Sequence, residues 1–250
     1  MKRAVCAAAL LAAAMPAAAQ HGPAAAVTHL PADVLALACA PTAAYTEPDS
    51  PLRVTGGQDS FTRRNYQPGD LVTLNAGSRN GIEIGQQYYV RRLRTADGEQ
   101  LAPSTPATIV TAGWLRVWAV DDTMSLATIE HACDAVEVGD YLEPFSLPVP
   151  PVAGATTAKA ERDHYARVMK GTDLRQTFGK GDFFIIARGS NDGVSPGAQF
   201  VIYRDKHERD NFLFELGEAV AVDVKPTSAT LQITKSLDAA SEGDLVAQRR

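Results

Sequence analysis

The sequence predicts a mainly β protein: two tandem small β-barrels, SH3-like or similar, related by internal duplication, with short helical segments in a leader and a linker. Three observations carry this expectation. The stretch Gly69–Leu93 (GDLVTLNAGSRNGIEIGQQYYVRRL) is restated at Gly181–Asp205 (GDFFIIARGSNDGVSPGAQFVIYRD), at an offset of 112 residues. Both stretches set short apolar runs, rich in strand formers, between glycine-centred turns. A sheet built from one such repeat leaves open edges, and closure into a small barrel removes them.

Residues 1–19 have the pattern of a secretory signal peptide. Lys2 and Arg3 precede the apolar run AVCAAALLAAAM, and Pro16 and Ala17–Ala19 place the expected cleavage after Ala19. The run is shorter than the ~20 residues that a spanning helix needs, and no later segment could cross a membrane as a helix. Cys6 and Cys39 do not stand where a lipoprotein signal needs its cysteine. The expected location is therefore periplasmic or secreted.

Without Lys2 and Arg3 the basic residues fall from 24 to 22 against 29 acids, a net charge of about −7. That balance argues against nucleic acid as a partner, because such binding rests on cationic contacts with phosphates. Arg63-Arg64, and Arg91-Arg92 with Arg94, read as solvated strand faces. Two cysteines remain after cleavage, Cys39 and Cys133, and in an exported protein two cysteines usually pair. The bridge would close a loop of about 95 residues and contribute about 4 kcal/mol in the chain-entropy model. Two buried free thiols are the alternative. The histidines (His21, His29, His131, His164, His207) show no metal-ligand spacing, so no metal or cofactor is expected.

Residues 20–51 form an extended Ala- and Pro-rich segment, in which Val27–Ala38 can hold a helical turn or two and dock on the first repeat. Residues 52–144 are the first barrel. Val72, Leu74, Tyr88 and Val90 lie on short strands, and Gly77, Asn80, Gly81 and Gly85 are structural turn residues. A long loop, Thr95–Ala107, precedes Leu115–Asp121, where Leu115, Val117 and Ala119 share an inward face. Residues 145–166 are the linker, stiffened by Pro148, Pro150 and Pro151. Ala160–Lys170 is helix-compatible, although the repeat alignment makes Arg167-Val168 a strand start. Residues 167–250 are the second barrel, with Gly189, Asp192, Gly193 and Gly197 at its turns. In this alignment Ala119-Val120-Asp121 matches Ala221-Val222-Asp223 at an offset of 102, and Cys133 falls opposite Lys235. Gly139-Asp140 matches Gly243-Asp244.

Chemistry is sparse. Gly193-Val194-Ser195-Pro196-Gly197 has the spacing of a hydrolase nucleophile elbow. Pro196, however, lacks the N–H that an oxyanion hole needs there, and a β run follows where a helix is required. Asn80-Gly81 and Asn191-Asp192-Gly193 lack the ligand series of a calcium loop. Gly179–Asp182 is too short for a phosphate loop. Glu161, Asp163 and His164 read as a solvated linker cluster. No catalytic residue is assigned and the chain is read as a non-enzyme; the alternative is an exported hydrolase with an unrecognised active site. Tyr88, Tyr89, Trp114, Trp118, Phe212 and Phe214 are the aromatic candidates for a binding surface.

The doubled pattern G-D-x-[VF]-x-[LI]-x-x-G-S-x-[ND]-G-[IV]-x-x-G-x-x-[YF]-x-[VI]-x-R resembles modules of the bacterial envelope. These are the C-terminal domain of flagellar assembly protein T and repeats that accompany LysM peptidoglycan-binding domains. The resemblance covers Arg53–Glu143 and Arg167–Gln248. It implies a periplasmic, non-catalytic scaffold whose partner is an envelope protein or peptidoglycan, and it carries over no functional residues. The chain has no LysM segment of its own.

Overall fold

A computed structural model describes residues 30–59, 63–95, 106–152, 158–161, 164–171, 175–206 and 212–250. The expected signal peptide with its cleavage site, Val27–His29, the centre of the Thr95–Ala107 loop and Asp163 lie outside the described residues. Beyond them the chain is mainly β, as its alternating apolar runs require. It opens with one short helix, α1 (Ala32–Ala38), which begins after Pro31 and stops at Cys39. A three-residue strand follows, β1 (Thr42–Ala44).

The first unit contains β2 (Val54–Gly57), β3 (Asn65–Tyr66), β4 (Leu71–Leu74), β5 (Gln87–Arg94), β6 (Ala107–Val120), β7 (Ser125–Ala132), β8 (Val136–Glu137) and β9 (Tyr141–Pro144). The second unit has β10 (Ala166–Gly171), β11 (Thr177–Phe178), β12 (Phe183–Ile186), β13 (Gln199–Asp205), β14 (Leu213–Val224), β15 (Ala229–Ser236), β16 (Ala240–Ser241) and β17 (Leu245–Gln248). Strand for strand, the two follow the same antiparallel order. The second closes into a six-stranded barrel, β10-β12-β15-β14-β13-β17. The first runs β2-β4-β7-β6-β5-β9, with β1 added to β6. Its ends meet at a single bridge, Arg53↔Tyr141, flanked by Val54 N–H to Asp140 O and Leu142 N–H to Leu52 O. The expected pair of barrels is thus one fully laddered barrel and one sheet joined at a narrow seam.

Each unit has its own core, built from alternate strand positions. Val54, Val72, Leu74, Val90, Leu115 and Ile129 fill the first, and Val168, Phe178, Phe184, Phe200, Ile202 and Leu231 fill the second. Full burial of one such side chain contributes roughly 1.5–3 kcal/mol. The second core carries Phe184 and Phe200 where the first has Val72 and the half-buried Tyr88, while Phe178 matches the buried Tyr66. Each unit also has a two-residue ladder, β3–β8 in the first and β11–β16 in the second.

Three sequence expectations need correction. The linker holds no helix among its described residues. Ala160 bridges Arg249, and the strand starts at Ala166, one residue before the expected boundary. Pairing of β10 with both β12 and β17 overrides local helix propensity. The offset over the β6–β7 region is 104 residues and not 102. Gly85 N–H donates to Val117 O as Gly197 N–H does to Ala221 O, and Ser78 N–H to Asp121 O as Ser190 N–H does to Lys225 O. Asp121 is therefore the counterpart of Lys225, Asp223 of Ala119, and Cys133 of Leu237. A slip of two residues preserves the in–out alternation of a strand, so periodicity could not expose it. Finally, bulges after Val117 and Ala221 turn the end of each long strand over. Val120 packs toward the core and Ala119 faces out, the reverse of the expected alternation.

Candidate functional site

The repeated Gly-Asp pairs make four copies of one turn. Gly69, Gly139, Gly181 and Gly243 all take left-handed backbone, with φ of 90°, 98°, 92° and 89°. An L side chain rarely adopts that conformation. The following aspartate bends back and accepts the backbone N–H three residues earlier: Gln67 to Asp70, Glu137 to Asp140, Gly179 to Asp182 and Ser241 to Asp244, at 2.7–2.9 Å. An arginine clamps each carboxylate. Arg63 Nη2 lies 2.6 Å from Asp70 and Arg175 Nη1 3.2 Å from Asp182. Arg92 and Arg204 grip Asp140 and Asp244 with two nitrogens each and also donate to the carbonyls of Ala135 and Ala239.

Arg63, Arg91, Arg92 and Arg94 are thus paired structural cations and not a solvated face; Arg91 reaches Glu143 and Arg94 reaches Asp134. Burial works against the charge of Arg92, but the hydrogen bonds and charge of Asp140 outweigh it and hold the guanidinium protonated. Burial also pulls the Asp70 carboxyl up; the Gln67 N–H and Arg63 more than reverse this and hold it below the usual range. The sequence signal for these clamps was present, since the repeated pattern both begins with Gly-Asp and ends in Arg.

The expected turn residues are structural. Gly81 and Gly193 end short 3-10 turns with φ of 79° and 80°, and Gly85 and Gly197 take 90° and 86°. Asn80 and Asp192 accept the N–H of Gly77 and Gly189. Gly77 and Gly189 have extended backbone; they are glycine because a Cβ would fall 2.1 Å from the carbonyl oxygen of Asp121 or Lys225. Ser195 is exposed on its turn and is followed by β13, not by a helix. Glu161 lies 3.5 Å from Arg250, and His164 is exposed.

The leader organises what lies between the two units. The expected disulfide is present: Cys39 and Cys133 are bonded, with Cα atoms 5.6 Å apart. It fastens α1 to the end of β7 while β1 pairs with Ala107–Ile109 of β6. The leader also holds the second unit, which the sequence did not suggest. Thr230 Oγ1 donates to Pro41 O at 2.8 Å, and Thr42 Oγ1 donates to Asp223 Oδ2 at 3.1 Å. The Tyr45 hydroxyl hydrogen-bonds Thr227 and Ser228; burial raises its pKa against the pull of those bonds. Residues 31–250 accordingly form one compact unit.

Two clefts flank this strap. One, of about 250 Å³, is lined by Cys39, Cys133, Asp134, Arg175, Asp182 and Phe183. The other, of about 220 Å³, is lined by Thr42, Tyr89, Arg91, Pro148, Asp223 and Lys225. In the second, the Arg91 guanidinium lies 4.6 Å over the Tyr89 ring, and its buried Nε has no hydrogen-bond partner among the described residues. The Cys39 and Cys133 sulfurs and a ring nitrogen of His131 lie within 4.8 Å of one another. Both sulfurs belong to the disulfide, which leaves the imidazole as the only donor of that group. His131 stacks on Trp114 at 4.4 Å, and burial lowers its pKa.

Of the six aromatic candidates, Tyr89 and Trp114 are buried in a stack with Phe145 outside the first core, and Tyr88 is half-buried against that core. Trp118, Phe212 and Phe214 are exposed, the last with Lys206 Nζ 4.9 Å from its ring centroid. No family model and no curated protein sequence matches the chain. Among the described residues no helix is long and apolar enough to cross a membrane.

Proposed function

We propose that this chain is an exported, non-catalytic scaffold of the bacterial envelope that binds a protein partner or cell-wall glycan through loops and edges of its two β units. In this reading the two units are copies of one ancestral module, and signal-peptide cleavage near Ala19 releases the protein into the periplasm. A disulfide between the leader and the first unit suits an oxidising compartment. The likeness of the repeated pattern to the flagellar assembly protein T domain and to LysM-associated repeats points the same way.

One observation carries the proposal. The groups common to both units, the Gly-Asp turns and their arginines, are spent on the fold, while several exposed apolar side chains, Trp118, Met124, Phe212, Phe214 and Leu237, are particular to one unit. Scattered apolar side chains are ordinary on a surface, but aromatics grouped at a strand end mark contact sites. The test is an affinity pull-down from envelope fractions beside co-sedimentation with purified peptidoglycan. A specific partner in one of them, weakened by Trp118→Ala or Phe214→Ala, supports the reading. Retention in neither overturns it.

A further inference from the structure

Among the exposed apolar side chains, Trp118 and Met124 form one patch and Phe212, Phe214 and Leu237 another, and each patch is the counterpart of one half of the contact that the leader makes inside the chain. On the second unit the leader covers the outer face near the ends of β14 and β15, at Asp223, Ser228 and Thr230. The counterparts on the first unit, placed by the pairings that follow the equivalent bulge, are Ala119, Met124 and Leu126, with Trp118 at the bulge itself. Trp118 and Met124 are exposed, and Ala119 and Leu126 are half-buried. Ser228 is 2% exposed and Met124 48%, and Trp118 is 60% exposed. Polarity runs opposite to burial: the covered face is hydroxyl and carboxylate, the open one thioether, indole and alkyl.

The other half of the contact shows the same inversion. On the first unit the leader covers the start of β6 and the end of β7, where β1 pairs with Thr108 and Cys39 bonds Cys133. The counterparts of Thr108, Val110 and Cys133 on the second unit are Phe212, Phe214 and Leu237. Thr108 is 4% exposed, whereas Phe212 is 68% and Leu237 61%. No strand equivalent to β1 pairs with β14 among the described residues. The second unit thus presents large apolar side chains where the first unit holds its leader, and the first unit presents an apolar face where the second unit receives that leader.

We infer that the chain binds a second copy of itself head to tail. Phe212, Phe214 and Leu237 of one molecule dock on Trp118, Met124 and Leu126 of the next, taking the place that the leader fills within the chain. The occupant is another copy because both unfilled halves of one contact lie on the same molecule and match in chemistry. The two patches differ, so the contact is heterologous and adds molecules into a chain or closes a ring. The inference draws on the same side chains as the envelope partner proposed above, but its experiment contains no partner, so self-association fails or survives separately from that reading.

The experiment is sedimentation velocity on the purified protein over a wide concentration range, with Trp118→Glu, Phe214→Glu and their equimolar mixture. The wild type is expected to grow with concentration beyond a dimer. Each variant alone should be monomeric where the wild type associates, with affinity lower by roughly 30-fold or more, as for a central aromatic anchor. Each variant keeps one intact patch, so the mixture should form a 1:1 dimer and stop there. An unchanged thermal unfolding midpoint in each variant shows that the fold is kept. A wild type that stays monomeric, variants that associate like the wild type, or a mixture that fails to dimerise overturns the inference.

Discussion

The two β units share a strand order, four arginine-clamped Gly-Asp turns and the same pair of 3-10 turns, yet they are held together differently. The second unit closes by continuous pairing around a phenylalanine-rich core. The first meets itself at one bridge and relies on additions from outside: β1 on its edge, the Cys39–Cys133 bond, and Phe145 of the linker stacked on Trp114. One unit is stabilised from within and the other partly from its leader. The lesson is that a shared framework of turns and ion pairs leaves a module free to vary both its core and its covering.

The largest expected contrast lies in the cores. Phe200→Ala removes a fully buried ring and should cost about 4 kcal/mol, while Tyr88→Ala at the matching place in the first unit, half-buried, should cost about half that or less. Chemical denaturation of both variants checks this, and equal losses would break the contrast. Next come the clamped aspartates. Asp140 is 2% exposed and Asp244 8%, and Arg92 is the more buried of the two arginines. Asp140→Ala strands a buried guanidinium and should cost about 3 kcal/mol, with a smaller loss for Asp244→Ala.

A smaller effect separates the covalent from the non-covalent part of the first unit. Reduction of the disulfide, or Cys39→Ser, should lower stability by about 2 kcal/mol. Amide exchange should rise in α1, β1 and the β6–β7 edge and remain unchanged in β12, β13 and β17. Equal loosening of the second barrel would show that the strap and not the bond sets the stability of both. The smallest effect is a pH dependence confined to the first unit. The folded pKa of His131 lies below its ordinary value because burial disfavours the imidazolium, so the unfolded chain takes up the proton first. Stability is complete above about pH 6.5 and declines as the pH falls toward the folded value. Denaturation midpoints on either side of that pH should differ in the wild type and converge in His131→Gln.

Much of the fold was legible in the chain because its signals are local. Glycine followed by aspartate, Asn-Gly, and apolar alternation each depend on a few neighbouring residues, and they located most of the strands and turns that the structure contains. The candidate site was legible only in part. Trp118, Phe212 and Phe214 could be named as aromatics near loops, but nothing adjacent to them distinguished exposed rings from the buried Tyr89 and Trp114. Arg92 and Arg94 read as solvated because their aspartates, Asp140 and Asp134, lie 48 and 40 residues away in sequence, whereas Arg63 pairs locally with Asp70.

The amino-acid sequence by itself pointed to the β class, the positions of the turns and the pairing of Cys39 with Cys133, since each follows from backbone preference or residue type. Tertiary structure alone decided the register between the units. A strand repeats every two residues, so a two-residue slip reads the same until hydrogen bonds such as Gly85 to Val117 and Gly197 to Ala221 count it. Tertiary structure also decided that the leader grips both units. That choice rests on Thr42 meeting Asp223 and Thr230 meeting Pro41, contacts about 180 residues apart in the chain that no local pattern encodes.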